Sequence, residues 1–407
     1  MYFRLAWRNI WRNTRRTLVI MTAVIIGVWS MIFLGALMRG IADQMVRNGI
    51  ATLTGHIQIH HKGFRNDPVI ENSIAEPELV ENAMEKVLPR GAKWTSRVRV
   101  NAIASNARHS SGITLIGIDP PREARISFIG RAVIQGRYLN SDDRHGIVVG
   151  KALLDKFETK LGRKLVLMSQ DSDGEIASRA FRIVGIFSAE MEATEKQFAF
   201  VTMPVAQQML KMKAGISEIS IVLPVRQEID RVARALRNEL RLADYEVNTW
   251  QELLPLVTAV IKLYDGFIFL WFLVIFVAMG FGIVNTTLMA VFERIREFGL
   301  LKALGMKPVW IVRQVLTESF FILAIGMFMG NSLGFLSIFA LSGPGIDLSS
   351  FAAGMEYVGM PRVIYPTVLS KDVIAANLVV FVLGLLVSLY PAVKAARFTP
   401  TEALAHT

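Results

Sequence analysis

Four stretches of this chain, Thr17–Met38, Gly266–Phe292, Ser319–Leu341 and Val373–Val393, carry no charged residue. Each is at least as long as the roughly 20 residues an α-helix needs to cross about 30 Å of hydrocarbon. A helix satisfies every backbone N–H and C=O within the segment, which lipid demands. The composition agrees, with 52% hydrophobic residues and a mean hydropathy of +0.41, unlike an ordinary soluble protein. The first run follows five arginines, has no A-x-A-like cleavage site and is too long for a signal-peptide apolar region, so it is read as a retained span. Residues 39–265 have a different pattern. The expected fold is therefore a membrane α-helical bundle of four transmembrane helices plus an α+β extracytoplasmic domain inserted between helices 1 and 2.

Charge orients the chain. Residues 1–16 hold Arg4, Arg8, Arg12, Arg15 and Arg16 and no acid. Residues 293–313 hold five Lys/Arg against Glu293 and Glu297, and the tail from Lys394 adds a further excess of one positive charge. These pieces carry nine of the formal +11 charges, and four spans put all three on one side. The positive-inside rule makes that side cytoplasmic, with both termini there and the large domain outside. Base confined to the ends of spans does not read as a nucleic-acid surface. The chain has no cysteine, which suits an oxidising outer compartment.

The order read from these signals is a cytoplasmic amphipathic helix (1–16), a span (17–38), stalks and outer domain (39–265), a span (266–292), a cytoplasmic elbow (293–313), a span (314–341), an outer loop (342–372), a span (373–393) and a cytoplasmic tail (394–407). In the first helix Phe3, Trp7, Ile10 and Trp11 form one stripe and Arg4, Arg8, Arg12 and Arg15 the adjacent one. Tryptophan at headgroup depth with arginine toward anionic lipid is an interfacial pattern. The same arginines also serve topology alone, and contact with a partner separates the two readings. In the elbow, Leu301 and Leu304/Gly305 share a face while Glu293, Arg294, Glu297 and Lys302 keep the rest polar.

From Thr54 to about Trp250 the pattern becomes one of period-two strands and short helices. Strands are expected at His56–His60, Ile113–Ile118, Gly146–Val149, Lys164–Met168, Phe181–Phe187, Gln197–Thr202, Glu218–Leu223 and Tyr245–Thr249, with helices at Pro77–Leu88, Pro204–Met212 and Gln227–Arg241. They divide into an α+β subdomain (about 54–129 and 214–250) and a strand-rich insertion (about 130–213). His56, Gln58 and His60 alternate with Ile57 and Ile59, which reads as a solvated face rather than a metal site. Asp171, Asp173 and Glu175 around Gly174 lack the distal glutamate of a calcium loop and read as a hairpin turn. The chain contains no G-x-x-x-x-G-K-[ST] or H-E-x-x-H, so no catalytic or metal residue is assigned and any ATP chemistry belongs to another chain.

Glu252–Asp265 reads as a second stalk. Gly280, Gly282, Asn285, Thr286 and Thr287 in the second span suit a dimer interface, a substrate cavity or close packing within one bundle. Glu318 is the one acid near hydrocarbon and is expected to pair with Arg313 at the cytoplasmic boundary. The outer loop, with Phe351, Met355, Tyr357, Val358 and Met360, reads as a cap on the bundle, with a lateral entrance as the alternative.

One span, a large outer domain and three spans, with E-R-I-R-E-F-G-L-L-K-A-L-G at Glu293–Gly305 and Y-P-A-V-K-A-A-R-F-T-P-T-E-A-L at Tyr390–Leu404, resembles the MacB/FtsX/LolC–LolE superfamily of type VII ABC permeases. Gly55–Ile59, Gly150–Leu153 and Phe181–Phe187 look most like the lipoprotein-releasing LolC/LolE branch. The resemblance implies a permease in a bacterial inner membrane that binds no cofactor, with ATP and Mg on a partner ABC ATPase dimer and a second permease chain alongside. It also implies that Glu293, Arg294, Arg296, Glu297, Gly299, Lys302 and Gly305 couple to that ATPase, whose closure the stalks pass outward (mechanotransmission). In the lipoprotein branch acyl chains enter between spans one and two. The matching walls here are Val24, Val28, Met31, Ile32 and Leu34, with Phe269, Phe272, Phe276 and Met279, and cargo passes to a periplasmic carrier.

One departure bears on the carrier. The connection Ser169–Ala180 is short, polar and free of proline, where that branch has an extended proline-containing hairpin. Release of lipoproteins or lipids is the favoured function. MacB-like efflux of peptides, toxins or drugs with an adaptor, and FtsX-like signalling to a cell-wall hydrolase, are the alternatives.

Overall fold

The computed structural model describes residues 2–241, 244–348 and 363–399. The chain forms two compact units, one drawn from Met1–Asp43, Val260–Ser350 and Val363–Thr407, the other from Gln44–Ala259.

In the first unit each apolar run sits inside a longer helix. Span 1 is Thr14–Gly49, span 2 Pro255–Glu293, span 3 Pro308–Ser342 and span 4 Ser370–Arg397, preceded by a short helix at Tyr2–Arg12. Spans 1 and 2 run through charged Arg39, Asp43, Lys262 and Asp265 without interruption. The bundle core joins Val24, Val28, Met31 and Ile32 to Ile268, Phe272, Met279 and Ile283, with Leu323, Ile338, Ala376 and Val380 closing it. Span 3 lies close to span 1 because Gly326 and Gly330 face it. A Cβ at Gly326 would stand 2.7 Å from Val24 Cγ1, and one at Gly330 2.8 Å from Val28 Cβ. Small residues permit such backbone approach where lipid supplies no hydrophobic drive. Inside the bundle Asn331 and Asn377 exchange hydrogen bonds at 2.7 and 3.0 Å, and the Trp29 indole donates to Ser337 Oγ at 3.1 Å. Arg39 bridges Asp265 at 2.6 Å and Asp372 at 2.6 Å, joining spans 1, 2 and 4. The residues expected to cap the bundle, Phe351, Met355, Tyr357, Val358 and Met360, lie outside the described residues, as does the tail from residue 400 onward.

The second unit is built on ten strands: β1 Ile57–His61, β2 Lys93–Ser105, β3 Ser110–Ile118, β4 Val133–Gly136, β5 Gly146–Gly150, β6 Lys164–Gln170, β7 Ile176–Phe187, β8 Phe198–Thr202, β9 Glu218–Val222 and β10 Tyr245–Thr249. β2, β3, β8, β5, β7 and β6 pair in succession and close into a ring, because β6 pairs with both β7 and β2. The ring encloses Val98, Val100, Leu115, Ile147, Leu167, Phe181 and Ile183. The order β10-β1-β9 continues from the first half of β2 and packs on helices Pro77–Val87 and Ile229–Glu239 through Ile57, Ile59, Met84, Val232 and Leu236. The thirteen-residue β2 thus serves both parts. β3, expected with the first subdomain, and β2, which falls in the same residue span, form walls of the ring that the 130–213 strands complete.

The expected solvated face of His56, Gln58 and His60 is buried. β1 lies between β10 and β9, and its second face is covered by the turn leaving span 1, where Gln58 Nε2 donates to the Leu53 carbonyl at 3.0 Å, and by the loop after β1, where the His60 ring stacks on Phe64 at 5.5 Å. The Asp171 carboxylate accepts from the N–H groups of Asp173 and Glu175 in the β6–β7 turn, and Lys211 Nζ sits 2.8 Å from it.

Candidate functional site

The elbow is folded by local rules. Span 2 stops where Arg294 leaves helical geometry (φ −112°, ψ 15°), and a second helix runs from Ile295 to Ala303. It closes with the Gly305 N–H bonded to the Lys302 carbonyl and the Met306 N–H to the Leu301 carbonyl, each at 3.0 Å. This double closure needs a left-handed residue, and Gly305 has φ +91°. Pro308 then begins span 3, where its missing N–H costs nothing.

Charges brace the elbow from behind. Arg294 Nη1 donates to both oxygens of Glu318 at 3.0 and 3.1 Å, and its Nε to Glu297 at 3.1 Å. The N-terminal helix and the start of span 1 join the same network: Asn9 donates to Glu318 at 2.8 Å, Arg12 pairs with Glu297 at 2.7 Å, and Arg16 of span 1 with Glu293 at 2.7 Å. The expected Glu318–Arg313 pair is not formed. Five positions apart on a helix the two residues point about 140° away from each other, and the Arg313 guanidinium lies over the Trp310 ring instead, 4.9 Å from its centroid.

The elbow also docks on the end of span 4. Phe298, Val291, Ile311 and Val315 form one core with Ala392 and Ala395. Lys302 Nζ donates to the carbonyls of Ala396 and Phe398 at 2.8 and 2.6 Å, capping that helix. The first sequence motif, residues 293–305, therefore meets the described part of the second, residues 390–399, in space.

This sorts the seven coupling candidates. Arg294 and Gly299 are buried, and Glu293, Glu297 and Lys302 are engaged inside the chain. Arg296 and Gly305 face outward with Leu300, Leu304 and Val309, of which Leu304 is 77% exposed. Of the membrane-surface candidates, Trp7 and Trp11 are half-exposed and Arg8 and Arg12 exposed, while Ala6 and Ile10 turn inward and Trp7 meets Phe321 edge-on at 5.6 Å. The side chain of Arg4 lies outside the described residues. Among the cavity candidates Val28, Met31, Ile32, Phe272 and Met279 sit inside the bundle core and Phe276 is half-buried. Phe269, 71% exposed, points outward beside Leu270, Leu273 and Val277.

A second arrangement, which sequence reasoning missed, lies where span 1 becomes β1. Helical geometry fails at Thr52 and Leu53, and Leu53 has φ +74°. The fully buried Arg97 donates to the Leu53 carbonyl, holds Glu123 through two bonds of 2.9 Å and reaches Glu218 at 2.9 Å. Burial alone would push the Glu218 carboxyl up; the charges of Arg99 and Arg97 outweigh it and hold it below the usual range. Burial keeps the neighbouring His60 below its ordinary value. The apolar side of Leu53 is set among Ile116, Ile118, Phe187 and Phe200.

Four long apolar helices, a folded domain between the first and second, and a braced elbow between the second and third define a multi-pass membrane protein. Residues 17–239 match the family described as MacB-like periplasmic core domain, and residues 268–400 match the FtsX-like permease C-terminal family. The first match covers more than half of the chain, which belongs to this family of type VII ABC transporter permeases. The chain is 24% identical to a protein of Bacillus subtilis named uncharacterized ABC transporter permease YknZ, covering 98% of each. It is 24% identical to the lipoprotein-releasing system transmembrane protein LolC of Xylella fastidiosa over 78% of each chain. It is 25% identical to the macrolide export ATP-binding/permease protein MacB of Escherichia coli K12, over 98% of this chain and 60% of that longer protein. The solved periplasmic region of MacB from Actinobacillus actinomycetemcomitans aligns with 52% of this chain and 95% of its own length at 15% identity, with a TM-score of 0.35.

Proposed function

We propose that this chain is the permease of an ABC transporter whose ATP and Mg are held by a separate ATPase dimer on the cytoplasmic side, with the large domain periplasmic. The carrying observation is the outward face of the elbow. Leu300, Leu304 and Val309 are exposed beside Arg296, while the residues behind them are tied to the N-terminal helix and to spans 3 and 4. An apolar patch rimmed by charge on a braced element suits protein docking. A push there reaches span 1 through Arg16–Glu293 and the N-terminal helix through Arg12–Glu297.

For cargo, the reading is release of lipoproteins or lipids from the outer leaflet of the inner membrane. Its support is the outward Phe269, Leu270, Leu273 and Val277 face of span 2, which offers acyl chains an apolar wall once a second permease chain stands opposite. A second reading, export of periplasmic substrates with an adaptor, is favoured by the tight β6–β7 hairpin, which turns within Asp171–Glu175 and leaves no extended arm to seize a carrier. The test is a mild-detergent pull-down of the tagged chain with mass spectrometry of proteins and lipids. An ATPase with acylated cargo supports release. An ATPase with an adaptor and no acylated cargo supports export, and no ATPase at all overturns the coupling role of the elbow.

A further inference from the structure

Spans 3 and 4 leave a groove of about 770 Å³ between them, lined by Trp310, Arg313, Leu316, Phe320, Phe381 and Leu385. The groove belongs to neither the elbow face nor the span 2 wall. Its length fits a particular occupant. Trp310 and Phe320 are ten positions apart, about 15 Å along a helix, or half of the roughly 30 Å hydrocarbon layer. At the deep end the Phe320 and Phe381 rings meet edge-on at 5.8 Å and close it. At the elbow end stands Arg313, and among the described residues no carboxylate pairs with it; its guanidinium rests only on the Trp310 ring. An indole and a guanidinium at one level mark the height of lipid headgroups.

We propose that this groove is a binding site for one anionic phospholipid of the elbow-side leaflet, its phosphate on Arg313 and an acyl chain along Leu316, Phe320, Phe381 and Leu385. Charge complementarity selects the headgroup: the cation is exposed at the mouth, with no carboxylate paired to it among the described residues, beside an apolar trough one leaflet deep. A lipid seated there bridges spans 3 and 4 at the level where the elbow docks.

The test is native mass spectrometry of the full-length chain, released from micelles holding equal amounts of phosphatidylglycerol and phosphatidylethanolamine with the same acyl chains. The expected result is one retained phosphatidylglycerol per chain, with the preference over phosphatidylethanolamine falling about fivefold in Arg313→Gln and persisting in Arg313→Lys. Leu385→Trp, which fills the trough and keeps the charge, should lose retained lipid of either kind. Retention of no lipid by the native chain, equal retention of both lipids, or an unchanged preference in Arg313→Gln would overturn the proposal. So would a photo-crosslinker at Phe320 that captures a second copy of the chain in place of lipid.

Discussion

Arg294, the residue that breaks span 2, holds both carboxylate oxygens of Glu318 on span 3 at 3.0 and 3.1 Å. One side chain thus ends a helix and fixes the elbow to the next. Glu318→Ala leaves a nearly buried guanidinium with only Glu297. Thermal unfolding of the full chain in detergent should show a loss of about 2–4 kcal/mol, as for a pair stripped of one partner. A loss below about 0.5 kcal/mol would mean that the pair behaves as a surface bridge.

The outward elbow face should be separable from its bracing. Leu300→Asp and Leu304→Asp change exposed residues and are expected to leave the melting temperature within a degree or two. They should abolish recovery of the ATPase and its stimulation by cargo. Normal co-purification with both changes present would place the docking surface elsewhere.

Gly305 has open space around it, with no atom within 4 Å of where a Cβ would stand, yet its φ is +91°. The cost of Gly305→Ala is therefore in the backbone, about 1 kcal/mol, and should not grow much with side-chain size. A steep rise from Ala to Leu in the unfolding series would show crowding that this geometry lacks.

Arg97 offers a sharper effect. Arg97→Met strands Glu123 and Glu218 in the interior, with an expected cost of about 3–5 kcal/mol. Limited proteolysis should cut first within residues 50–55, whose Leu53 carbonyl loses its donor. Adding Glu123→Gln and Glu218→Gln to Arg97→Met should recover part of the loss, because the stranded charges are removed.

His56 sets a pH dependence. Burial, helped by the charge of Arg226, lowers its pKa to about 4, and its Nδ1 accepts the Leu223 N–H at 2.9 Å, which a proton there would forbid. The unfolded chain, with a pKa near 6.5, takes up the proton first. The contribution is complete above about pH 6.5 and is lost progressively as pH falls toward 4, by about 1–3 kcal/mol. Unfolding of the native chain and of His56→Gln at pH 7 and pH 5 should diverge at pH 7 and converge at pH 5; parallel curves would exclude His56 as the cause.

Much of this was legible in the residues. Charge-free runs placed the four helices because lipid leaves the backbone few options, and period-two patterns placed β1, β3 and β5–β10. β2 escaped because Arg97 and Arg99 mask the Val98, Val100, Ala102, Ala104 alternation that marks its inner face. The histidines of β1 were read as solvated because alternation tells which residues share a face, not what covers it. Glu318 went to Arg313 because nearness in sequence stood in for direction around the helix. The elbow motif announced a site, but its outward members, Arg296, Leu300 and Leu304, separate from its structural ones only once span 4 and the N-terminal helix are in place.

The outer domain begins and ends on a single pair of neighbours, since Ile57 lies opposite Thr249 in the antiparallel β1–β10 ladder. If β10 slipped along β1 by a residue, every side chain of that strand would turn to the wrong face. That one register therefore ties the domain's first strand to its last, and the chain enters and leaves the fold as a closed pair.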